Sequence, residues 1–547
     1  MKAYSRREML RLTGQAAVIA AAVPSLCRGA AERSFSSNRG AIIGETAGEE
    51  AGARILAEGG NAIDAAMAAA LVSCVAVPAR CGVGGYGGHM TIATENGRKV
   101  TSIDFNSAAP GVAQPDMYQL GGDGKVLNDA NFHGWLAVGV PGTMAGIQLA
   151  IDRFGTRSVR ELVQPALMLA RKGVVISAQF ANTLRMTAAR LRKDPASAAI
   201  YLRDDQPLRA GDTLTNPKLA EVLSTLADRN SVDSFYRGDI AQQLADDFKR
   251  NGGLVTAGDL AAYRAREVKP YRLDWEEHTI YTAPLTAGGF TVFEAISFLK
   301  ALDWNPRSSA VDNVHPWLEA LRLAWKDRLE LLGDPEKVNV PTEKLLSKSY
   351  VREQSQRIRE AFKKRQALPI QIEKHLDEGT VDLCCVDSHG NMVAITLTQG
   401  GGFGAQVTSG SLGITLGHGM SRFNPRPNHP NCPGPAKRPL HNMCPTLVLR
   451  DGKPSLAVGA AGGLKIPNSI YEVLTEFVGR GKNVADAVAA PRIHTTGTSE
   501  VGIEAGFSTI SADYLKKVGF DVKPSPNAMV SAVAYDAKNG QTSAAFR

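Results

Sequence analysis

The stretch GTVDLCCVDSHGNMVAITLT, residues 379–398, marks where the chain changes character, and the fold is read outward from it. Val381 to Asp387 and Met392 to Thr398 are short apolar runs rich in β-branched residues. The polar Ser388 to Asn391 between them carries a glycine, so the pattern predicts a β-hairpin. Adjacent Cys384 and Cys385 point to opposite faces of such a strand and do not pair with each other; small buried side chains are the simpler reading.

Upstream, Arg352 to Lys374 is dense in charge and glutamine and predicts a solvated helix followed by a mobile connector. Residues from about 140 to 365 show mostly helical spacing, clearest in 143–153, 160–171, 217–227 and 312–331. Further strands are expected at 445–450, 455–459 and 528–536, with a helix at 467–480. Near the start, 39–45 reads as a strand and Glu49 to Glu58 as a helix ended by Gly59 and Gly60. Asn61 then caps an alanine-rich helix with Asp64 in its first turn and Ile63, Met67, Ala70, Leu71 and Cys74 along one face, suited to packing on a sheet. A helical scaffold followed by a strand-rich part suits a layered α/β (α+β) sandwich.

GVGGYGGH, residues 82–89, formally satisfies a dinucleotide fingerprint through Gly82, Gly84 and Gly87. That fingerprint needs a strand before it and a helix after it; here a helix precedes and the β-like MTIAT follows, so tight turns and close backbone packing explain the glycines better.

The 547 residues are 44% hydrophobic and 21% charged, enough to bury a large core. Ser5, Arg6 and Arg7 precede an apolar run from Ala16 to Val23 and small residues at Gly29 to Ala31, the pattern of a twin-arginine signal over residues 1–30 that exports a folded protein to the periplasm or beyond. The alternative is an ordinary N-terminal helix; either way the run is too short to span a bilayer comfortably. Residues 1–30 hold five basic residues against Glu8, so the formal charge of +8 falls to +4 without them, and no basic stripe with interleaved aromatics points to nucleic acid. Cys27 leaves with the signal; the six others are too sparse for a disulfide framework.

Gly379 and Thr380 stand where the connector meets the hairpin. A strand-opening threonine freed by cleavage carries a hydroxyl and an α-amine on one residue, and the amine serves as base for the hydroxyl. Its ordinary pKa of about 7.7 to 8.0 is near neutrality, so no separate histidine is needed. Cleavage itself would proceed by attack of the hydroxyl on the Gly379 carbonyl, and glycine tolerates the strained backbone this requires.

At this level of detail the chain resembles the gamma-glutamyltranspeptidases (glutathione hydrolases), a group with cephalosporin-acylase-like members. The resemblance spans nearly all of residues 38–547 and is carried by GGNAIDAAMAAAL (59–71), GVGGYGG (82–88), IDFNSAAP (103–110), CVDSHGNMVAITLT (385–398), KRPLHNMCPT (437–446) and GAAGG (459–463). It implies a four-layer αββα sandwich of the N-terminal-nucleophile hydrolase type. It also implies a precursor cut into a large chain, 38–379, and a small chain, 380–547, that stay one globular unit. Thr380 falls on the family nucleophile, Thr398 on a threonine that hydrogen-bonds it, and Gly462 and Gly463 on the oxyanion-hole pair. The alternatives are a plain strand residue for Thr398 and a plain turn for the two glycines.

The substrate-binding positions depart from the family. Asn106 stands where an arginine would hold an α-carboxylate, His441 and Asn442 replace a serine pair, and Gly400, beside Gln399, replaces an asparagine. Arg422 replaces the aspartate that would take an α-ammonium group. The charge reversal at Arg422 turns attraction into repulsion, so a standard γ-glutamyl group should bind poorly. Arg422 and His441 would suit an acyl group bearing a carboxylate and lacking a free amine. His429, Cys432, His441 and Cys444 also have a spacing compatible with zinc, a rival reading disfavoured by Pro433, Pro435 and Pro439.

The expectation is therefore an exported, self-processing amidohydrolase or acyltransferase that needs no cofactor or metal and acts on γ-glutamyl or related acyl amides. A glutaryl- or cephalosporin-acylase-like amidase is the first alternative. An unprocessed, non-catalytic periplasmic binding relative is the second.

Overall fold

The computed structural model describes residues 33–37, 39–370, 372 and 379–547. The signal segment, and part of the connector ahead of Gly379, lie outside the described residues.

Thirteen strands form the two central sheets: β1 (Arg33–Ser37), β2 (Gly40–Gly44), β3 (Gly87–Thr94), β4 (Lys99–Asp104), β5 (Arg266–Val268), β6 (Tyr271–Trp275), β7 (His278–Thr282), β8 (Val381–Asp387), β9 (Met392–Thr398), β10 (Thr446–Arg450), β11 (Lys453–Ala461), β12 (Met529–Asp536) and β13 (Gln541–Phe546). One sheet has six strands in the order β2-β8-β9-β3-β4-β5; the other has seven, β1-β13-β12-β11-β10-β7-β6. The predicted hairpin is thus β8–β9, antiparallel and central to its sheet.

Side-chain alternation on β8 shows how the layers stack. Val381, Leu383 and Cys385 join a core made with the helices α1 (Thr46–Ala57), α2 (Ala62–Ala76), α3 (Thr143–Phe154), α4 (Val159–Lys172) and α5 (Pro217–Arg229). Cys384 and Val386 point the other way, onto Leu447, Ala457 and Val533 of the second sheet. The far face of that sheet packs on α6 (Gly289–Ala301), α7 (Ala310–Leu331), α8 (Lys348–Lys364) and α9 (Lys465–Leu474). The order is helices, sheet, sheet, helices: the expected αββα sandwich. The described cysteines are free thiols, and the opposed placement of Cys384 and Cys385 is as expected.

Asn61 caps α2 in a full capping box with Asp64. The helix is not one-sided as expected: every residue from Ala62 to Ala76 is buried. Its small side chains let it lie close to α1, α4 and β8 at once, where a larger apolar residue would hold one neighbour away. Asp387 at the hairpin turn ties in the same helix: its carboxylate accepts from Ala62 N at 3.0 Å and from His389 N and Asn391 N at 2.9 and 3.0 Å. In the glycine-rich loop, Gly87 has φ +113 and no room for a side chain against the Phe105 carbonyl, as the close-packing reading requires.

The scaffold region departs from the expectation by contributing strands. β5, β6 and β7 lie within the predicted helical span, and β7 pairs with β10, more than 160 residues later. The charged helix before the connector ends at Lys364, with Arg365 in the left-handed conformation as its cap. The helix predicted at 467–480 starts at Lys465, and its last turn, Thr475–Gly479, is a π-helix.

Candidate active site

Extending the β8–β9 ladder by one pair from Val381 opposite Leu397 sets Thr380 opposite Thr398. Thr398 Oγ1 donates to the Gly379 carbonyl oxygen at 2.5 Å and accepts from Gly400 N at 2.8 Å. The carbonyl that Thr380 would have to attack is thus already polarised by a neighbouring hydroxyl in the uncut chain. Gly379 has φ +93, and a Cβ there would lie 2.9 Å from the Gly400 carbonyl oxygen, so glycine is demanded on both conformational and steric grounds. Ahead of the junction, Leu368 is held at both ends of its backbone: its N–H by Glu319 at 2.8 Å and its carbonyl by Arg322 at 3.2 Å.

Gly462 and Gly463 form the turn between β11 and α9, with φ +141 and +62. Neither N–H is donated to another group among the described residues, which leaves two adjacent donors in the turn just ahead of the helix, an arrangement suited to an anion. Ala528 packs against Gly462, and Met529 pairs with Ala461 on the adjacent strand.

The residue that links these parts is Arg80, which sequence reasoning passed over. Its Nε donates to the Thr380 carbonyl at 3.1 Å and its Nη2 lies 3.0 Å from Met529 Sδ. It is the single Asp, Glu, Lys or Arg between Asp64 and Glu95, a lone charge in a long apolar run, and that isolation was the available signal. Asp382, two residues past Thr380 on β8, faces Gly459 of the other sheet. Burial pushes its carboxyl up to about 6, against the opposing pull of Ser531 and Arg80.

The predicted substrate residues divide. Gln399 is wholly buried: its Nε2 donates to the Thr415 carbonyl at 3.1 Å, and it crowds Gly82. Asn106 is equally buried and spends its amide on Thr286 Oγ1 and the Pro439 carbonyl, at 2.8 and 2.7 Å. His441 Nδ1 accepts from Met443 N at 3.2 Å, so Nε2 carries the hydrogen and donates to His89 Nδ1 at 2.9 Å. Both ring nitrogens are therefore engaged internally, and the ring offers no donor to a substrate carboxylate in this state, contrary to the role expected of it. His89 in turn faces Asp104 at 3.3 Å. Burial opposes the charge of Asp104, but Arg438, His89 and Arg266 hold it well below the usual carboxylate range. Asn442 Oδ1 lies 3.5 Å from Arg328 Nη2. Arg422 is half-buried with its guanidinium 5.9 Å from the centre of the Tyr86 ring.

The spacing that suggested zinc does not produce a cluster. Among the described residues no three His, Cys, Asp or Glu side chains converge on a metal position. His429 bonds the Leu329 carbonyl, Cys432 lies 3.9 Å from Lys437 Nζ, and Cys444 sits between Thr282 and Thr446.

An αββα sandwich with a threonine at the mouth of a central strand defines the N-terminal-nucleophile hydrolase class. The gamma-glutamyltranspeptidase profile matches residues 48–546. The glutathione hydrolase proenzyme of Escherichia coli (strain K12) is 36% identical over 486 residues, covering 86% of this chain and 83% of its own. The acylase ACY 1 proenzyme of Pseudomonas sp. (strain SE83) is 32% identical, covering 93% and 92%. The crystal structure of cephalosporin acylase from Bacillus halodurans superposes with a TM-score of 0.85 at 25% identity, over 96% of this chain and 97% of that one. The chain belongs to the gamma-glutamyltranspeptidase family and is an enzyme of the hydrolase and acyltransferase type.

Proposed function

We propose that the chain is a self-processing amidohydrolase whose nucleophile is the Thr380 hydroxyl. The observation that carries this reading is the hydrogen bond from Thr398 Oγ1 to the Gly379 carbonyl, made from the strand position directly across from Thr380. Attack of the Thr380 hydroxyl on that carbonyl, followed by hydrolysis of the resulting ester, releases a chain ending at Gly379 and frees the Thr380 amine. The amine then takes the hydroxyl proton in each turnover. The hydroxyl oxygen bonds to the substrate acyl carbon, the amide nitrogen leaves with a proton, and water or an acceptor amine resolves the ester. Gly462 and Gly463 supply N–H donors to the oxyanion. No step calls for a cofactor.

The pieces 38–379 and 380–547 stay associated on this reading, because strands from both sides of the cut alternate in each sheet: β8 and β9 lie between β2 and β3, and β10 pairs with β7. A twin-arginine signal over residues 1–30 would deliver the folded precursor to the periplasm or outside the cell. Among the described residues no helix is long and apolar enough to cross a membrane.

The substrate is an acyl amide. Curated relatives are named glutathione hydrolase and acylase, and the arginine at position 422 and asparagine at 106 favour the acylase side, with an acyl group that lacks a free α-ammonium.

Intact mass and N-terminal sequencing of purified protein test the mechanism, with Thr380→Ala as control. A fragment beginning at Thr380 in the wild type and an uncut chain in the variant are expected. An uncut, folded chain in both overturns the reading in favour of a non-catalytic binding protein.

A further inference from the structure

We infer that His418 is the hydrogen-bond acceptor on the acyl side of this site, and that it selects amides whose acyl chain carries an uncharged donor, a hydroxyl or an amide N–H. The inference rests on Thr380 as nucleophile.

The position of the ring comes from Gly400. A Cβ built on Gly400 would fall into the His418 imidazole, 2.6 Å from Cε1 and 2.7 Å from Cδ2, with Nε2 closer still. The side-chain space of position 400 is therefore filled by a histidine from another loop, and only glycine permits it. Gly400 N is bonded to Thr398 Oγ1, and the Gly400 carbonyl lies 2.9 Å from where a Cβ on Gly379 would be. In the uncut chain Gly379 is itself the acyl group of the scissile bond. A substrate acyl group that takes the place of Gly379 therefore lies beside Gly400, on whose missing side chain the His418 ring rests.

The protonation pattern follows from partners. Ser421 Oγ lies 2.8 Å from the His418 carbonyl, which can only accept, so the serine hydrogen goes there. His418 Nδ1 also contacts Ser421 Oγ and must then carry its own hydrogen. This leaves Nε2 with a lone pair, and no described residue donates to it. Burial, then Arg422 and His133, keep the ring neutral. Burial, together with the Arg422 guanidinium, disfavours an ammonium here, so the donor that suits Nε2 is an uncharged one.

Four p-nitroanilides that share a five-carbon diacid skeleton separate the possibilities: glutaryl, 2-hydroxyglutaryl linked at C5, N-acetyl-γ-glutamyl and γ-glutamyl. The hydroxyl and N-acetyl compounds should exceed the other two in kcat/KM by about tenfold, the worth of one hydrogen bond. In His418→Phe that ratio should fall to about one, and His418→Gln, which keeps an acceptor, should restore part of it. Equal kcat/KM for hydroxylated and plain glutaryl compounds in the wild type overturns the inference, as does a preference that survives in His418→Phe, or a processed enzyme inactive on all four. Mass analysis of the same samples keeps the two readings apart: an uncut wild type defeats the nucleophile assignment, whereas a correctly cut enzyme without the preference defeats the role of His418 alone.

Discussion

Thr398 lies directly across the β8–β9 ladder from Thr380, and its hydroxyl donates to the carbonyl of Gly379 at 2.5 Å. That bond and the one from Gly400 N to Thr398 Oγ1 fix the hydroxyl between the two strands. Thr398→Ala removes the donor to the scissile carbonyl. Self-cleavage should slow by about 100- to 1,000-fold, the range for loss of one hydrogen bond at a developing oxyanion. Thr398→Ser should retain most of the rate. The time course of fragment appearance on a denaturing gel reads both, and an unchanged rate in the alanine variant removes Thr398 from the chemistry.

Arg80 acts on the same junction from the opposite end of the residue, through the Thr380 carbonyl. Arg80→Met keeps the bulk and loses the donor, and it leaves Asp382 without its facing cation. If Thr380 is the nucleophile as proposed, processing should slow, and kcat of the processed fraction should fall with little change in KM, as expected of a group that positions the nucleophile without touching substrate. A rise in KM at constant kcat would instead mark Arg80 as a substrate contact.

Asp382 links stability to pH. Its carboxyl is raised to about 6 in the fold, burial being the main cause, against about 3.9 in an unfolded chain. The folded protein therefore keeps this proton to higher pH than the unfolded chain does. The stability tied to the neutral acid is fully present below about pH 4 and is lost as the pH rises to about 6, a change of roughly 3 kcal/mol. Asp382→Asn removes the titration, so Tm of the variant should gain on that of the wild type between pH 4 and 6. A parallel pair of Tm curves would show that the carboxyl titrates normally.

Asp387 is a structural counterpart on the far end of β8. Its carboxylate accepts from three backbone N–H groups, one of them at the start of α2, and from the Asn391 side chain at 2.8 Å. Asp387→Ala leaves these donors without a partner and should cost about 2 to 4 kcal/mol. Urea denaturation of an uncut background, such as Thr380→Ala, measures it; a loss below about 0.5 kcal/mol would mean that water replaces the carboxylate.

Of the thiols, Cys384, Cys385 and Cys444 are buried with their pKa values pushed up by burial, whereas Cys432 is half-exposed. A thiol reagent should label Cys432 in the native protein and the other three only after denaturation. Rapid native labelling at Cys384 would show that the interface between the sheets opens, and at Cys385 that the helices lift off the first sheet.

The hairpin, the threonine at its head, the cap of the alanine helix and the tight glycines were all legible in the amino-acid order. Each rests on local physics: a turn sets the register of the strands beside it, and capping and left-handed backbone involve residues a few positions apart. What the tertiary structure alone decided are contacts between distant positions. Arg80 reaches Thr380 across 300 residues, His441 meets His89 across 352, and the His418 ring fills the space that Gly400 leaves. The short strands β5 to β7 likewise take their place from a partner far along the chain. Such pairings follow from how whole layers pack, and nothing in the spacing of residues near any one of them specifies the other.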